Sequence, residues 1–468
     1  MDQPPTAGEM ATKLAIKRQL DRAVSAAQEK KFDEAIAICD KLLERHPDLP
    51  RALAIKSTIR AETGDVHNAI SLLENAIGGD ARVASWHASL SALYLSVYRC
   101  ADAVRGARAA LSLNPNSPQY LVDLALALQH VDDHDEAMLC LLRAVGIAPN
   151  DAVVHLTLAQ MLLSRGEMDP GWIEYEWRNK LDSALHTLPR MTSALWNGMR
   201  LPGRLFVIVD QGYGDTIQFS RYLPLAAERC DELLVGSSPE LAVLLSPIQG
   251  VSACLTHWEE VPGHAAHIRI SSLPFVLRMQ SHEGIFSPGP YLKAPVDRVE
   301  PWKRRVESLP PGIRVGFVWK GRTTHPNDRS RSLNLATVRP LMQQRGIQWV
   351  SLQKPVAELE ATELAQSGAL DLSEALTDFG ETAAVMTNLD LVITIDTAVA
   401  HLAGALGRPV WVMLPKPADW RWMRKGSDTP WYSSMRLFRQ DVPGGWDHVV
   451  SELGRALQDF PKNRVQSS

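Results

Sequence analysis

Four alanines, Ala35, Ala69, Ala103 and Ala137, recur at intervals of 34 residues. A small residue at this fixed period constrains the fold more than any other feature of the chain. Each repeat reads as a helix–turn–helix unit, and the units stack into an α solenoid because none can bury its apolar face alone. The turns between paired helices read EKKFDEAI, TGDVHNAI, YRCADAV and DHDEAM, and the alanine in each lets two helices approach closely. Pro47, Pro115 and Pro149 close units in one register, as ERHP, SLNP and GIAP, with Gly78 and Gly79 at the end of the second unit. Proline there stops the second helix and opens the next unit. A fifth unit begins at Asp151, turns at Arg165-Gly166-Glu167 and ends in GWIEYEWR. Its Trp172, Tyr175 and Trp177 are expected to cap the solenoid by packing against a neighbouring domain. The repeat domain is read as residues 13–178, preceded by a flexible tail at 1–12.

The bulk chemistry narrows the function classes. A net charge of −4 over 468 residues offers no electrostatic case for nucleic acid as a partner. Cys39, Cys100, Cys140, Cys230 and Cys254 form no CxxC pair, and three of them fall in repeat helices as small apolar residues. That pattern reads as a reducing compartment with neither a disulfide framework nor a zinc site. The opening MDQPPTAGEM has no apolar stretch of the kind that marks a secretory leader. No apolar run reaches the roughly 18 residues that a membrane span requires. The chain is therefore expected in the cytoplasm, with no membrane span.

Residues 179–203, with Pro189, Trp196, Gly198, Pro202 and Gly203, read as a linker. From Arg204 the period changes. LFVIV, ELLVG, VSACLT and HIRI alternate with helical patterns, Pro288, Pro290 and Pro301 interrupt, and the alternation resumes with RVGFVWKG, QWVSLQ, LDLVITID and PVWVMLP. Short apolar strands alternating with helices predict parallel, doubly wound sheets. Two such halves, 204–297 and 298–445, imply two Rossmann-like domains in series. The amphipathic WDHVVSELGRALQDF within 446–468 is expected to cross back onto the first half.

Three segments carry candidate chemistry. Gln211-Gly212-Tyr213-Gly214-Asp215 follows a strand and opens a helix, the place where open α/β sheets bind their ligands. Asp215 there is either a general base or a helix N-cap. The spacing is not GxGxxG, so a nicotinamide site is poorly supported. Asp396-Thr397, with His401 one turn further along, sits at a second strand–helix corner where helix amides suit a diphosphate. The plain alternative is a capping aspartate and a packed histidine. The third segment, 320–332, carries Lys320, Arg322, Arg329 and Arg331, which either neutralise phosphates or form a solvated loop. Gln353-Lys354 adds a polar pair at the same sheet edge.

Together, VDQGYGDTIQFSRYLP, VGFVWKGRTTHPNDRSRSL, VSLQK and ITIDTAVAHLAGALGRPVWVMLP resemble bacterial glycosyltransferases linked to tetratricopeptide (TPR) repeats. Their catalytic half is similar to the heptosyltransferase family, glycosyltransferase family 9, with the GT-B fold. The domain order is also similar to that of protein O-GlcNAc transferase. The resemblance implies an α solenoid followed by an α/β GT-B fold, and a metal-independent, inverting transferase with a nucleotide-sugar as donor substrate and no cofactor. It assigns Asp215 as general base, and Arg331, Gln353, Lys354, Asp396, Thr397 and His401 to the donor, while Gly214, from its turn, and Lys320, from its basic segment, are further candidates for the donor site. Many relatives carry WAG where this chain has Trp319-Lys320-Gly321, so Lys320 is a departure that bears on donor identity. The expected acceptor is a protein recruited by the repeats, with flagellin as one candidate and a CMP-linked nonulosonic acid as one candidate donor. The alternatives are a glycan or lipid acceptor, or a non-catalytic TPR adaptor with a degenerate transferase domain.

Overall fold

The structure, a computed structural model, describes residues 7–181, 191–277, 285, 287, 289–325 and 327–464. Residues 1–6 of the expected tail, the linker residues 182–190 with Pro189, and Pro288 and Pro326 lie outside the described residues. The chain divides into two compact units, 1–157 and 158–468.

Ten helices pair off in the repeat region: α1 (Ala7–Gln28) with α2 (Phe32–Arg45), α3 (Pro50–Glu62) with α4 (Val66–Gly79), α5 (Ala84–Ser96) with α6 (Cys100–Leu113), α7 (Pro118–Gln129) with α8 (His134–Ile147), and α9 (Ala152–Ser164) with α10 (Met168–Tyr175). The first helix starts inside the stretch expected as a tail. Ala35, Ala69, Ala103 and Ala137 all have zero exposure, as close helix packing demands. A second small position keeps the same period on the first helix of each pair: Ala23, Ser57, Ser91, Ala125 and Ala159, all buried. Ser57 and Ser91 satisfy their hydroxyls by donating to the carbonyls of Ala69 and Ala103, at 2.7 and 2.8 Å. The period reaches the backbone as well. Lys30, Gly64, Tyr98, Asp132 and Gly166 each turn the chain at φ between 60 and 87°, the left-handed region that glycine enters most readily.

The boundary between the units falls within α9, so α10 belongs to the second unit. There its aromatic side packs on the α/β region, with Trp172 edge-on to Phe219, Trp420 and Trp431 at 5.6–6.5 Å between ring centres.

The α/β region holds two sheets, and every ladder in them is parallel. In the first, the strands run in the order β1 (Ala194–Leu195), β5 (Ala266–Arg269), β2 (Leu201–Ile208), β3 (Cys230–Gly236) and β4 (Val251–Leu255). In the second, the order is β11 (Met435–Arg439), β10 (Val410–Leu414), β9 (Leu391–Ile395), β6 (Ile313–Val318), β7 (Ile347–Ser351) and β8 (Leu370–Asp371). The central strands LVITI and VWVML are buried at every residue, the pattern of parallel strands covered on both faces. Each order reverses once, beside β2 in the first sheet and between β6 and β9 in the second. Such switch points open a crevice beyond the carboxyl ends of the strands.

The C-terminal helix corrects one expectation. Among the helices of the α/β region that bear on the argument, α11 is Tyr213–Phe219, α12 Leu335–Met342, α13 Ala398–Ala405 and α14 Trp446–Arg464. Instead of crossing to the first half, α14 places Val449, Val450, Leu453 and Leu457 in one core with Val338 and Leu341 of α12 and with Val315, Phe317 and Ile393 of the second sheet. That apolar stripe is satisfied by its own half. The short strands β1, β8 and β11 were not expected. Two are only two residues long, and β11 carries arginines at 436 and 439 that mask its apolar pattern.

Among the described residues no helix is long and apolar enough to cross a membrane.

Candidate functional site

Beyond Ile208, β2 runs through Gly212 into α11, which presents Asp215 in its first turn. Asp215 Oδ2 accepts the Gly212 N–H at 3.0 Å, so Asp215 is not the N-cap, which is Gly212, but the third helical residue reaching back to it. Oδ1 is engaged separately, accepting from Arg421 Nη2. Asp215 is half-buried, and burial pushes its carboxyl above the usual range while Arg421 opposes the shift. Gly214 lets α11 approach α13: a Cβ there would stand 3.0 Å from His401 Cδ2.

The second half supplies the facing wall. β9 ends at Ile395, and Asp396 and Thr397 lead into α13. Thr397 is its N-cap residue but makes no side-chain cap bond, sharing a 3.1 Å hydrogen bond with Thr394 Oγ1 instead. Burial, followed by the nearby Asp419, raises the Asp396 carboxyl to about 6. His401 is a buried strut. Its Nδ1 bonds Tyr432 Oη at 2.9 Å and its ring stacks on Trp422 at 5.1 Å. Burial, then Arg421 and Arg221, hold it well below the usual imidazole range, hence neutral. Arg331 Nη1 donates to the Asp396 carbonyl at 2.7 Å.

Lys320, Gln353 and Lys354, like Arg331, are engaged within the protein. Lys320 Nζ lies 2.6 Å from Glu360 Oε1, which also accepts Trp319 Nε1 at 3.0 Å. Gln353 is 2% exposed, and its Oε1 takes the N–H groups of Trp319 and Lys320 at 3.2 and 2.9 Å. It clasps the end of β6 to the end of β7. Lys354 Nζ donates to the Leu376 carbonyl at 2.6 Å and keeps its charge facing no carboxylate partner in that bond. Arg322 is exposed.

One cavity of about 620 Å³ gathers all of these groups. Asp215, Gly214, Lys320, Arg331, Gln353, Lys354, Asp396, Thr397 and His401 all line it, and so does Arg322. Arg329 is not among its lining residues. The cavity lies at the carboxyl ends of both sheets, beside both switch points, where open α/β folds bind ligands. Its charge is mixed. Asp215, Asp396 and Asp419 lie around Arg421 and Arg331, and the rest of the wall carries Arg322, Lys320 and Lys354 together with Glu240 and Asp378.

Sequence reasoning missed Arg421 and Asp419. Arg421 sits in a short turn after β10 and makes its key contact with a residue 206 positions earlier. No local pattern reports such a pairing. The available signal was composition: Asp419-Trp420-Arg421-Trp422, directly after the carboxyl end of a buried strand, concentrates charge and aromatic surface at a ligand-binding edge.

Residues 333–413 match the family described as Glycosyltransferase family 9 (heptosyltransferase). The match takes in Gln353, Lys354, Asp396, Thr397 and His401. Residues 118–151, covering α7 and α8, match a tetratricopeptide repeat. The chain thus joins a TPR-repeat region to a glycosyltransferase family 9-like domain. Protein FlbA of Caulobacter vibrioides is 25% identical, in an alignment covering 95% of this chain and 90% of that protein. Among solved structures, a thermophilic TPR protein of Thermus thermophilus is 19% identical, covering 36% of this chain and 92% of its own at a TM-score of 0.31. PilF of Pseudomonas aeruginosa is 18% identical, covering 36% and 77% at a TM-score of 0.34. The family 9 match and the two-lobed α/β fold support nucleotide-sugar transfer as the general activity.

Proposed function

We propose that the second unit transfers a sugar from a nucleotide-sugar bound in the 620 Å³ cavity to an acceptor hydroxyl, with Asp215 as general base. The observation that carries this reading is the convergence of Asp215 from the first half with Lys354, Asp396, Thr397 and the start of α13 from the second half on one cavity at both switch points. The nucleotide phosphates are placed toward Arg322, Lys354 and the uncapped start of α13, because cations and helix amides stabilise a departing phosphate. In the transfer, the acceptor oxygen bonds to the anomeric carbon, the bond from that carbon to the phosphate oxygen breaks, and the acceptor proton passes to Asp215. A single displacement of this kind inverts the anomeric centre.

The family description names heptosyltransferases, so a saccharide acceptor, free or on a lipid, is the reading that match favours. The TPR-repeat region supports a second reading, a protein acceptor recruited through the repeats, with flagellin among the candidates. Thermal stabilisation by UDP, GDP, ADP and CMP and their sugars tests the donor site. One nucleotide class that raises the melting temperature selectively supports the enzyme. No shift from any of them favours a non-catalytic adaptor.

A further inference from the structure

Arg421 reaches across the α/β unit. It arises in the turn Trp420–Trp422 after β10, in the second half, and its side chain is only 11% exposed. Asp419 fixes it at the root: Asp419 Oδ1 accepts the Arg421 backbone N–H at 3.0 Å and Nη1 at 2.9 Å. The other two nitrogens bond α11 of the first half, Nε to Gln218 Oε1 at 2.8 Å and Nη2 to Asp215 Oδ1. Gln218 has zero exposure, so its carbonyl is a fixed acceptor. The Trp420 ring supports the guanidinium at 4.2 Å. Each of the three guanidinium nitrogens therefore meets a separate acceptor on two different halves, a geometry that the planar fork of arginine fits and an ammonium does not.

We infer that Arg421 is the positioning residue for Asp215, orienting its carboxylate and holding it ionised when the two halves stand together. This rests on the reading of Asp215 as the base of a transferase. With Oδ2 on the Gly212 N–H and Oδ1 on Arg421, the carboxylate has one orientation and a cation beside it. The charged and titratable groups around Asp215 include Arg421 and Asp419 from the turn after β10, Asp210 after β2, Tyr175 from α10, His325 from the loop after β6, and, on the same cavity wall, Arg331, Asp396 and the neutral His401 of α13. Arg421 is the cation that favours ionisation of Asp215, while Asp419 and Asp210 act against it. Removing the cation leaves a desolvated carboxylate among other carboxylates, which then holds a proton and cannot accept one. Because α11 and the 420–422 turn belong to different halves, the contact also ties the state of the base to their closure.

The first test needs no substrate. Melting temperatures of the full chain, Arg421→Met, Asp215→Asn and the double variant are compared at about pH 8 and about pH 5.5. The expected result is that Arg421→Met costs several degrees more with Asp215 present than in the Asp215→Asn background at the higher pH, with the gap narrowing at the lower one. Equal losses in both backgrounds at both pH values overturn the proposal and leave Arg421 a packing residue. The second test follows nucleotide release from the donor found in the binding panel. Arg421→Met is expected to lower kcat by about 100-fold with KM within about threefold, and to move the acid limb up by about one pH unit, with Arg421→Lys recovering part of the loss. A parallel change in kcat and KM with an unmoved acid limb overturns the proposal. If the unaltered protein releases no nucleotide, the transferase reading fails, while the stability comparison still decides whether Arg421 sets the charge of Asp215.

Discussion

Gly214 lies against His401 so closely that a Cβ on Gly214 would stand 3.0 Å from His401 Cδ2 and 3.5 Å from the Ala398 Cα. The contact joins α11 of one half to α13 of the other at the floor of the cavity. His401 cannot retreat, being stacked on Trp422 and bonded to Tyr432. Gly214→Ala is therefore expected to cost about 1–3 kcal/mol through overpacking. Urea unfolding measures that loss, and nucleotide-dependent stabilisation of the variant should fall with it. Unchanged stability would mean that the two helices are free to separate.

The left-handed turn at Lys30, Gly64, Tyr98, Asp132 and Gly166 recurs with the repeat, yet two of these positions are glycine and three are not. A non-glycine residue in this conformation costs roughly 1–2 kcal/mol. Lys30→Gly and Tyr98→Gly are each expected to stabilise the chain by about 0.5–1 kcal/mol, and Asp132→Gly by less, because aspartate visits this region more easily. Gly64→Ala should destabilise by about 1 kcal/mol. Chemical denaturation of the four variants checks both signs together.

The folded carboxyl of Asp396 titrates near 6, above its ordinary 3.8. Protonation thus favours the folded state. Its contribution is fully present below the ordinary value and is lost as pH rises through about 6. Asp396→Asn, neutral throughout, is expected to melt above the unaltered protein at about pH 8 and level with it at about pH 4. Melting curves across this range decide the matter, and a gain that persists at the acid end contradicts the assignment.

Lys320 was a candidate donor contact, and the structure directs its ammonium to Glu360 at 2.6 Å. Removing it strips the cation from a largely buried carboxylate. Lys320→Ala should cost about 1–3 kcal/mol of stability, discounted for the partial exposure of the lysine. Its effect on nucleotide affinity should stay within about threefold. Calorimetry with the nucleotide that stabilises the protein separates the two effects. A tenfold loss of affinity with unchanged stability would return Lys320 to the donor.

Much of this fold is legible because its determinants are local. The 34-residue period is written in small residues that must be buried, and LVITI followed by Asp396-Thr397 announces a buried strand turning into a helix at a ligand-binding edge. Roles that depend on distant partners are not legible in the same way. The partner of Lys320 is Glu360, that of Gln353 is a pair of backbone amides just beyond the end of β6, and Arg421 meets Asp215 across 206 positions. The C-terminal helix is a related case. Its apolar stripe at Val449, Val450, Leu453 and Leu457 shows that it packs, and only the folded second sheet shows where.

The central claim, that Asp215 is the base beside a nucleotide-sugar site, is tested most directly with Asp215→Asn. This variant keeps the side-chain shape and an acceptor for the Gly212 N–H. Nucleotide binding by calorimetry and nucleotide release from the matching sugar are measured on both proteins, with acceptor candidates supplied as saccharides and as protein. The account predicts affinity within about threefold and release lowered by about 100-fold or more. Release at the unaltered rate, or loss of nucleotide binding in the variant, would contradict it.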